Sequence, residues 1–206
     1  MLTESPAVVP ARRAAPRLAL LALGGACLIT GLNAALVRLE VWAPVASPRA
    51  GDVHGLVMVL GFLGTLISLE RAQALRQAWG YLAPALLGLG GLALLTPPPL
   101  LLGQLLQVEG AALLVAVYVA LWRRAPLPLV AVQVLSAVLL LAGAVVATVL
   151  DIPSAISWLI GFIVLTIASE RAELAQLWMG PRAVSTLLGV SVAYALSACV
   201  ALMAPT

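Results

Sequence analysis

Long apolar stretches alternate along this chain with short polar or proline-rich breaks. Seven apolar segments can be traced, each of roughly 15–24 residues, and at about 1.5 Å per residue most of them can cross a hydrocarbon core about 30 Å thick as helices. The pattern therefore predicts an all-α, polytopic membrane bundle of about seven transmembrane helices. They cover residues 17–38, 53–69, 80–96, 100–121, 127–150, 155–169 and 183–203.

The connections are short, and the segment 155–169 is the shortest predicted helix. It would span only with snorkelling ends or a slightly thinned bilayer. The longest connection, 40–52, is predicted to be a loop because its prolines interrupt helices. The domains expected are a cytoplasmic N-terminal tail over 1–16 and a single transmembrane domain over 17–206.

Composition narrows the class of protein. Hydrophobic residues make up 63% of the 206 and charged residues 9%, which is too little charge to cover a soluble domain. The net charge of +3 is carried by scattered arginines without any lysine, so a nucleic-acid partner is not expected. Cys27 and Cys199 lie in apolar runs and are predicted to be buried small hydrophobic residues. The partner that this composition implies is the lipid bilayer.

Arginine placement predicts the orientation. Of the eleven basic residues, only Arg38 and Arg49 lie in loops on the side opposite the N-terminus. Since positive charge concentrates on the cytoplasmic side, the N-terminus is predicted inside and the C-terminus outside a bacterial inner (plasma) membrane. A signal peptide cleaved before Cys27 is disfavoured because the apolar run continues beyond that residue.

The chain also resembles itself. "GFLGTLISLERA" at 61–72 aligns without gaps on "GFIVLTIASERA" at 161–172, with the two phenylalanines, Phe62 and Phe162, in register. The offset carries the second helix onto the sixth, which predicts two parallel repeats of a four-helix unit. Repeat one covers about 17–121 and repeat two about 127–203, the second lacking its fourth helix. Chance similarity of two helix ends is the alternative.

Both aligned segments end on a glutamate–arginine pair, Glu70–Arg71 and Glu170–Arg171. An arginine near a helix C-terminus suits the helix dipole and the inner headgroups, and the neighbouring carboxylates are expected to pair across the repeat interface. This structural role is favoured over a cation site.

Glu109 lies about ten residues into the fourth helix, near the bilayer midplane, where a carboxyl group is costly and marks a candidate functional site. Gln133 and Asn33 on neighbouring helices could be its hydrogen-bond partners. Helical geometry places it away from the face that carries Gln104 and Gln107. Structural and functional roles both stay open.

His54 is the only histidine, and it opens the second apolar helix. With Met58, Gly61, Thr65 and Ser68 it forms one helical face at spacings of four, three, four and three. This small, flat face suits either a close helix neighbour or a planar ring. We expect the imidazole to point into the bundle or into a pocket rather than toward lipid, because a polar ring at this depth needs a partner.

The stretch "HGLVM" at 54–58 resembles the His-Gly-x-x-Met motif that opens the second helix in the large subunit of heme-copper oxidases. The four-helix repeat is similar to the four-helix units of that family. The resemblance implies that His54 is an axial heme ligand near the outer face, with Gly61 and Thr65 against the ring. Asp52 or Glu40 could then accept from the other imidazole nitrogen.

The departures from that family limit the function. No other histidine is present to complete an oxidase site, and Ser154 occupies the aligned position in the second copy, so oxygen reduction is excluded. Met58 is too near His54 on the same helix to be the opposite ligand. Any heme would be held by His54 alone or together with a residue of a partner subunit. No other metal ligand is predicted.

Two functions therefore stay open. The first is a heme-associated or respiratory-chain-linked membrane subunit without oxidase activity. The second is a small-molecule or ion transporter, or a membrane scaffold or assembly protein. Catalysis is not expected, and the protein partners considered are another membrane subunit or a homo-oligomer.

Overall fold

The part of the chain that the structure describes folds into seven helices joined by short connections and contains no strand. A computed structural model describes residues 15–45, 47, 49–97, 99–175 and 180–203, so most of the predicted tail over 1–16 lies outside it. The all-α fold is confirmed. The helices are α1 (Ala15–Arg38), α2 (Ala50–Leu75), α3 (Ala78–Ala93), α4 (Leu100–Arg124), α5 (Pro128–Val149), α6 (Ile152–Leu174) and α7 (Pro181–Met203).

Six of these helices are long enough and apolar enough to cross a membrane, and α3 is the shorter exception. The sixth helix was predicted to be the shortest, which is wrong, since α6 has 23 residues. It continues through the polar sequence "SERAEL" because long charged side chains can reach water at the membrane surface while the backbone keeps its helical hydrogen bonds. For the same reason α2 extends to 26 residues.

The helices pack as two groups joined through α4. In the first group α1 packs on α2 and α3, and in the second α5 packs on α6 and α7. α4 lies between α3 and α5. These pairings are the ones that a repeat of α1–α3 onto α5–α7 would give, and the repeat itself stays a prediction.

α2 and α6 run in the same direction, as predicted. Their first halves line one cavity, and their last turns are joined by an ion pair between Arg71 and Glu170. Phe162 is fully buried, whereas Phe62 is only partly buried.

The helices α1, α2 and α3 approach one another closely at one junction. A Cβ built on Gly91 of α3 would lie 2.7 Å from the Cα of Gly61 on α2 and 3.1 Å from the Sγ of Cys27 on α1. Only glycine allows two backbones to come so close. Cys27 is buried here as predicted, and its thiol donates to the carbonyl of Gly88 at 3.3 Å. Cys199 was also predicted to be buried, which is wrong because it lies on the exposed side of the peripheral helix α7.

The middle of α2 is a π-helical segment, Val57–Gly64, between regular α-helical turns. Its backbone bonds span five residues instead of four, which widens the helix locally, and such segments are frequent near functional sites. The segment contains no polar side chain and follows His54 by less than one turn.

Asp151 caps the N-terminus of α6 by accepting a hydrogen bond from the backbone N–H of Ser154 at 2.7 Å. This bond holds the pKa of Asp151 below its ordinary value, since it favours the charged carboxylate. A lowered folded-state pKa stabilises the fold above the unfolded-state pKa, and the contribution is lost as the pH falls through the folded-state pKa. We therefore expect wild type to lose more thermal stability between neutral and acidic pH than Asp151→Asn, which keeps a capping side chain without titrating. Equal pH dependence of the two melting temperatures would contradict the assignment.

Candidate functional site

His54 lies in the second turn of α2 and faces α1. Its Nδ1 lies 3.1 Å from the carbonyl oxygen of Gly31. A carbonyl oxygen can only accept, so Nδ1 carries the proton in the neutral ring and Nε2 keeps its lone pair. The expected orientation is confirmed. The acceptor is the carbonyl of Gly31 and not the carboxylate of Asp52 or Glu40.

His54 also lines a cavity of about 470 Å³ between the first halves of α2 and α6. Its volume is within the range of about 300–1,000 Å³ typical of small-molecule sites. The polar or charged side chains that line it are those of Arg38, Asp52 and His54. Its remaining lining is apolar and consists of Gly51, Gly55, Val59, Ile152, Pro153, Ile156, Leu159, Ile160 and Ile163.

The α6 residues of this wall were not identified from the sequence. Ile156, Leu159, Ile160 and Ile163 are ordinary apolar residues of a membrane helix, and nothing in their type marks a binding site. The only hint was the aligned repeat, which pairs α6 with α2. Gly55 opens onto the cavity, since a Cβ built there meets no atom within 4 Å.

The predicted face below His54 contacts helices and not the cavity. Gly31 of α1 packs on Met58, Gly61 packs on Gly91 of α3, and the Thr65 hydroxyl donates to the carbonyl of Pro84 at 3.4 Å. The prediction that these residues share one helix face is confirmed, and this face packs closely against the neighbouring helices α1 and α3. Gly61 and Thr65 thus contact α3, and their role in holding a cofactor stays a prediction.

A polar cluster lies at the other end of α2 and α6. The Arg71 guanidinium contacts Oε1 of Glu70 at 2.9 Å and Oε1 of Glu170 at 3.2 Å, so the expected pairing between the two segments is confirmed. Cζ of Arg71 lies 5.8 Å from the ring centre of Tyr118, which is fully buried. Tyr118 was not identified from the sequence as part of this cluster. Arg171 is exposed and takes no part in the cluster.

Two polar atoms of this cluster are buried without a partner among the residues described, Nε of Arg71 and the hydroxyl of Tyr118. Nearby, Gln133 donates to Oε2 of Glu173 at 3.4 Å. The arrangement joins α2, α4, α5 and α6 at one end of the bundle. The sequence feature that could have indicated this cluster is the tyrosine at position 118 in an otherwise apolar part of α4.

Glu109 does not point into the bundle. Its side chain is exposed on α4, and the described part of the chain offers it no hydrogen-bond or ion-pair partner. The predicted partners are used elsewhere, Gln133 by Glu173 and Asn33 by the backbone of Val45. The prediction of a partnered Glu109 inside the bundle is therefore wrong.

The opposite face of α4 is as predicted. Gln104 and Gln107 are buried, and they donate to the carbonyls of Ala147 at 2.9 Å and Leu56 at 3.4 Å. The two amides stabilise the contacts of α4 with α5 and α2. They have structural partners and leave Glu109 alone on the outer side.

Comparison with known proteins identifies a family that the chain matches. No curated protein and no solved structure matches the chain. Residues 17–206, which include all seven helices except the first two residues of α1, match the family described as a domain of unknown function (DUF8744). This match spans well over half of the sequence, and it includes the cavity, the Arg71 cluster and Glu109. The chain therefore belongs to the DUF8744 family.

Proposed function

We propose that this protein is a multi-pass inner-membrane protein that binds heme through Nε2 of His54 in the cavity between α2 and α6. The observation that carries the proposal is the hydrogen bond from Nδ1 to the Gly31 carbonyl. A metal-binding histidine commonly donates its second nitrogen to a carbonyl, which fixes the tautomer and raises the basicity of the ligating nitrogen.

The residues around His54 fit such a group. The apolar wall from α6 suits the faces of a macrocycle, and Arg38 is available to neutralise a carboxylate substituent. Gly55 leaves room next to the histidine. The residues described contain no group of three His, Cys, Asp or Glu side chains that could hold a metal ion by themselves.

A heme bound here would supply one-electron transfer or binding of a small gas at the iron. The chain itself would hold the ring and orient the histidine, and its apolar wall would keep water from it. This role is that of a respiratory-chain-linked subunit without oxidase activity, in line with the resemblance of "HGLVM" to the oxidase motif.

Absorbance of the purified protein, expressed with ample heme, tests the proposal. Wild type is expected to show a Soret band and a pyridine hemochrome, and His54→Ala is expected to lose both while inserting and melting normally. Ser154→Ala changes the aligned residue of the second copy and should keep the spectrum. Gly55→Phe keeps the ligand but fills the cavity, and heme occupancy should fall strongly. A colourless wild type, or a full Soret band in His54→Ala, would refute heme binding at this site.

A second candidate is favoured by the same cavity. Its mixed lining, charged at Arg38 and Asp52 and otherwise mostly apolar, also suits an uncoloured amphipathic molecule, as a small-molecule transporter or scaffold would bind. Glu109 gives this reading no support because it faces away from the bundle. A colourless wild type whose melting temperature rises with an added amphipathic compound, and no longer does so in Gly55→Phe, would favour it.

A further inference from the structure

Glu109 is the unexplained group of this fold. At about 1.5 Å per residue it lies about 14 Å from the start of α4, deep in the region that the hydrocarbon of a bilayer would cover. It is exposed, and the described residues give it no hydrogen bond or ion pair. A carboxyl group left in hydrocarbon is costly, and intramembrane ionisable side chains almost always face protein or water. A group beyond the residues described must therefore cover Glu109.

The exposed residues around Glu109 indicate what kind of helix would pack against it. Leu105 and Glu109, followed by Ala112 and Ala116, are exposed at spacings of four, three and four along α4, so they form one stripe, here called the Glu109 stripe. The two alanines are four residues apart and let another helix backbone come close. No other exposed residue of the stripe is polar. The covering helix must therefore be apolar apart from one hydrogen-bonding group at the depth of Glu109.

We propose that the Glu109 stripe is the interface of a homodimer in which α4 packs against α4 of a second copy. A twofold axis along the membrane normal brings the same residue of both copies to the same depth, so each Glu109 meets Glu109 of its partner. A protonated carboxyl group both donates and accepts, and two of them satisfy each other. The second copy therefore supplies the required group at the required depth without any further polar residue. This dimer does not depend on heme binding.

Oligomeric state in lipid bilayers tests the proposal through three substitutions. Counting photobleaching steps of singly labelled protein over a range of protein-to-lipid ratios should show dimers of wild type. Glu109→Leu should weaken dimerisation by about 3- to 20-fold, the range given by measured interhelical hydrogen bonds in membranes. Glu109→Gln should stay near wild type, because an amide also donates and accepts. The control is Val138→Ala, an exposed residue of α5 outside the stripe, which should leave the dimer unchanged.

Cysteine cross-linking locates the interface independently of Glu109. In a Cys199→Ser background the remaining Cys27 is buried, so an introduced cysteine is the only accessible thiol of the residues described. Ala112→Cys should form a disulfide-linked dimer on oxidation, whereas Val138→Cys should not. Monomeric wild type at all protein-to-lipid ratios would overturn the proposal. So would a dimer that is as strong in Glu109→Leu as in wild type, or one that cross-links through position 138 and not through position 112.

Discussion

Gly91→Ala is expected to destabilise the protein by about 1–3 kcal/mol, the range for overpacking a tightly packed core. The added Cβ would lie 2.7 Å from the Cα of Gly61 and 3.1 Å from the Sγ of Cys27. A backbone atom cannot rotate away as a flexible side chain can, so α2 and α3 must separate along the contact. Thermal unfolding in detergent, followed by circular dichroism, measures the loss.

The chain provides a matched control in Gly189→Ala. Gly189 also lies inside a helix, α7, but a Cβ built there meets no atom within 4 Å. Alanine has the higher helix propensity, by about 0.5–1 kcal/mol relative to glycine, so this variant should melt at the wild-type temperature or slightly above it. Equal melting temperatures for the two variants would contradict the close contact of α2 and α3.

Arg71→Leu is expected to destabilise the fold by about 1–3 kcal/mol. Removing one partner of a fully buried ion pair costs about 3–5 kcal/mol because the other charge is left unpaired. Here the side chains of Arg71 and Glu170 are 14% and 36% exposed, so solvent screens part of that cost. The substitution also removes the cation over the face of Tyr118.

Arg171→Leu is the matched control, because Arg171 aligns with Arg71 in the second segment but is exposed. Its melting temperature should stay within a degree or two of wild type, as expected for a change at an exposed position. Adding Glu170→Gln to Arg71→Leu removes the unpaired carboxylate and should restore part of the stability. Equal losses from Arg71→Leu and Arg171→Leu, or no gain in the double variant, would show that the ion pair does not stabilise the fold.

The helices were predictable from the sequence because burial in lipid demands long uninterrupted apolar runs. All seven appear as helices, but only six are long and apolar enough to span a membrane, because α3 is too short. The polar ends of α2 and α6 are what the hydropathy pattern missed. A helix does not end where its side chains become polar. It continues for as long as the backbone bonds remain favourable and the side chains can reach water, which apolar periodicity does not report.

The candidate site was only half predictable. The pairing of Arg71 with Glu170 followed from the aligned polar ends of the two segments. The orientation of His54 followed from the cost of leaving a polar group unpartnered in an apolar setting. The same argument gave Glu109 partners within the chain, which was wrong, because it says that a partner is needed and not which molecule supplies it. The cavity wall formed by α6 and the contact of His54 with the Gly31 carbonyl arise only when distant parts of the chain pack together. The types of the residues involved do not indicate either feature in the sequence.

The π-helical segment of α2 sets the direction in which His54 points. One residue corresponds to about 100° of rotation in a regular helix, at 3.6 residues per turn. The wider π-helical turns rotate less per residue, so if residues 57–64 adopted regular α-helical turns, the difference would accumulate and rotate the first turns of α2 relative to the turns anchored at Arg71. The imidazole would then leave both the Gly31 carbonyl and the cavity. The direction of His54 thus depends on the backbone hydrogen bonding of a stretch that has no polar side chain of its own.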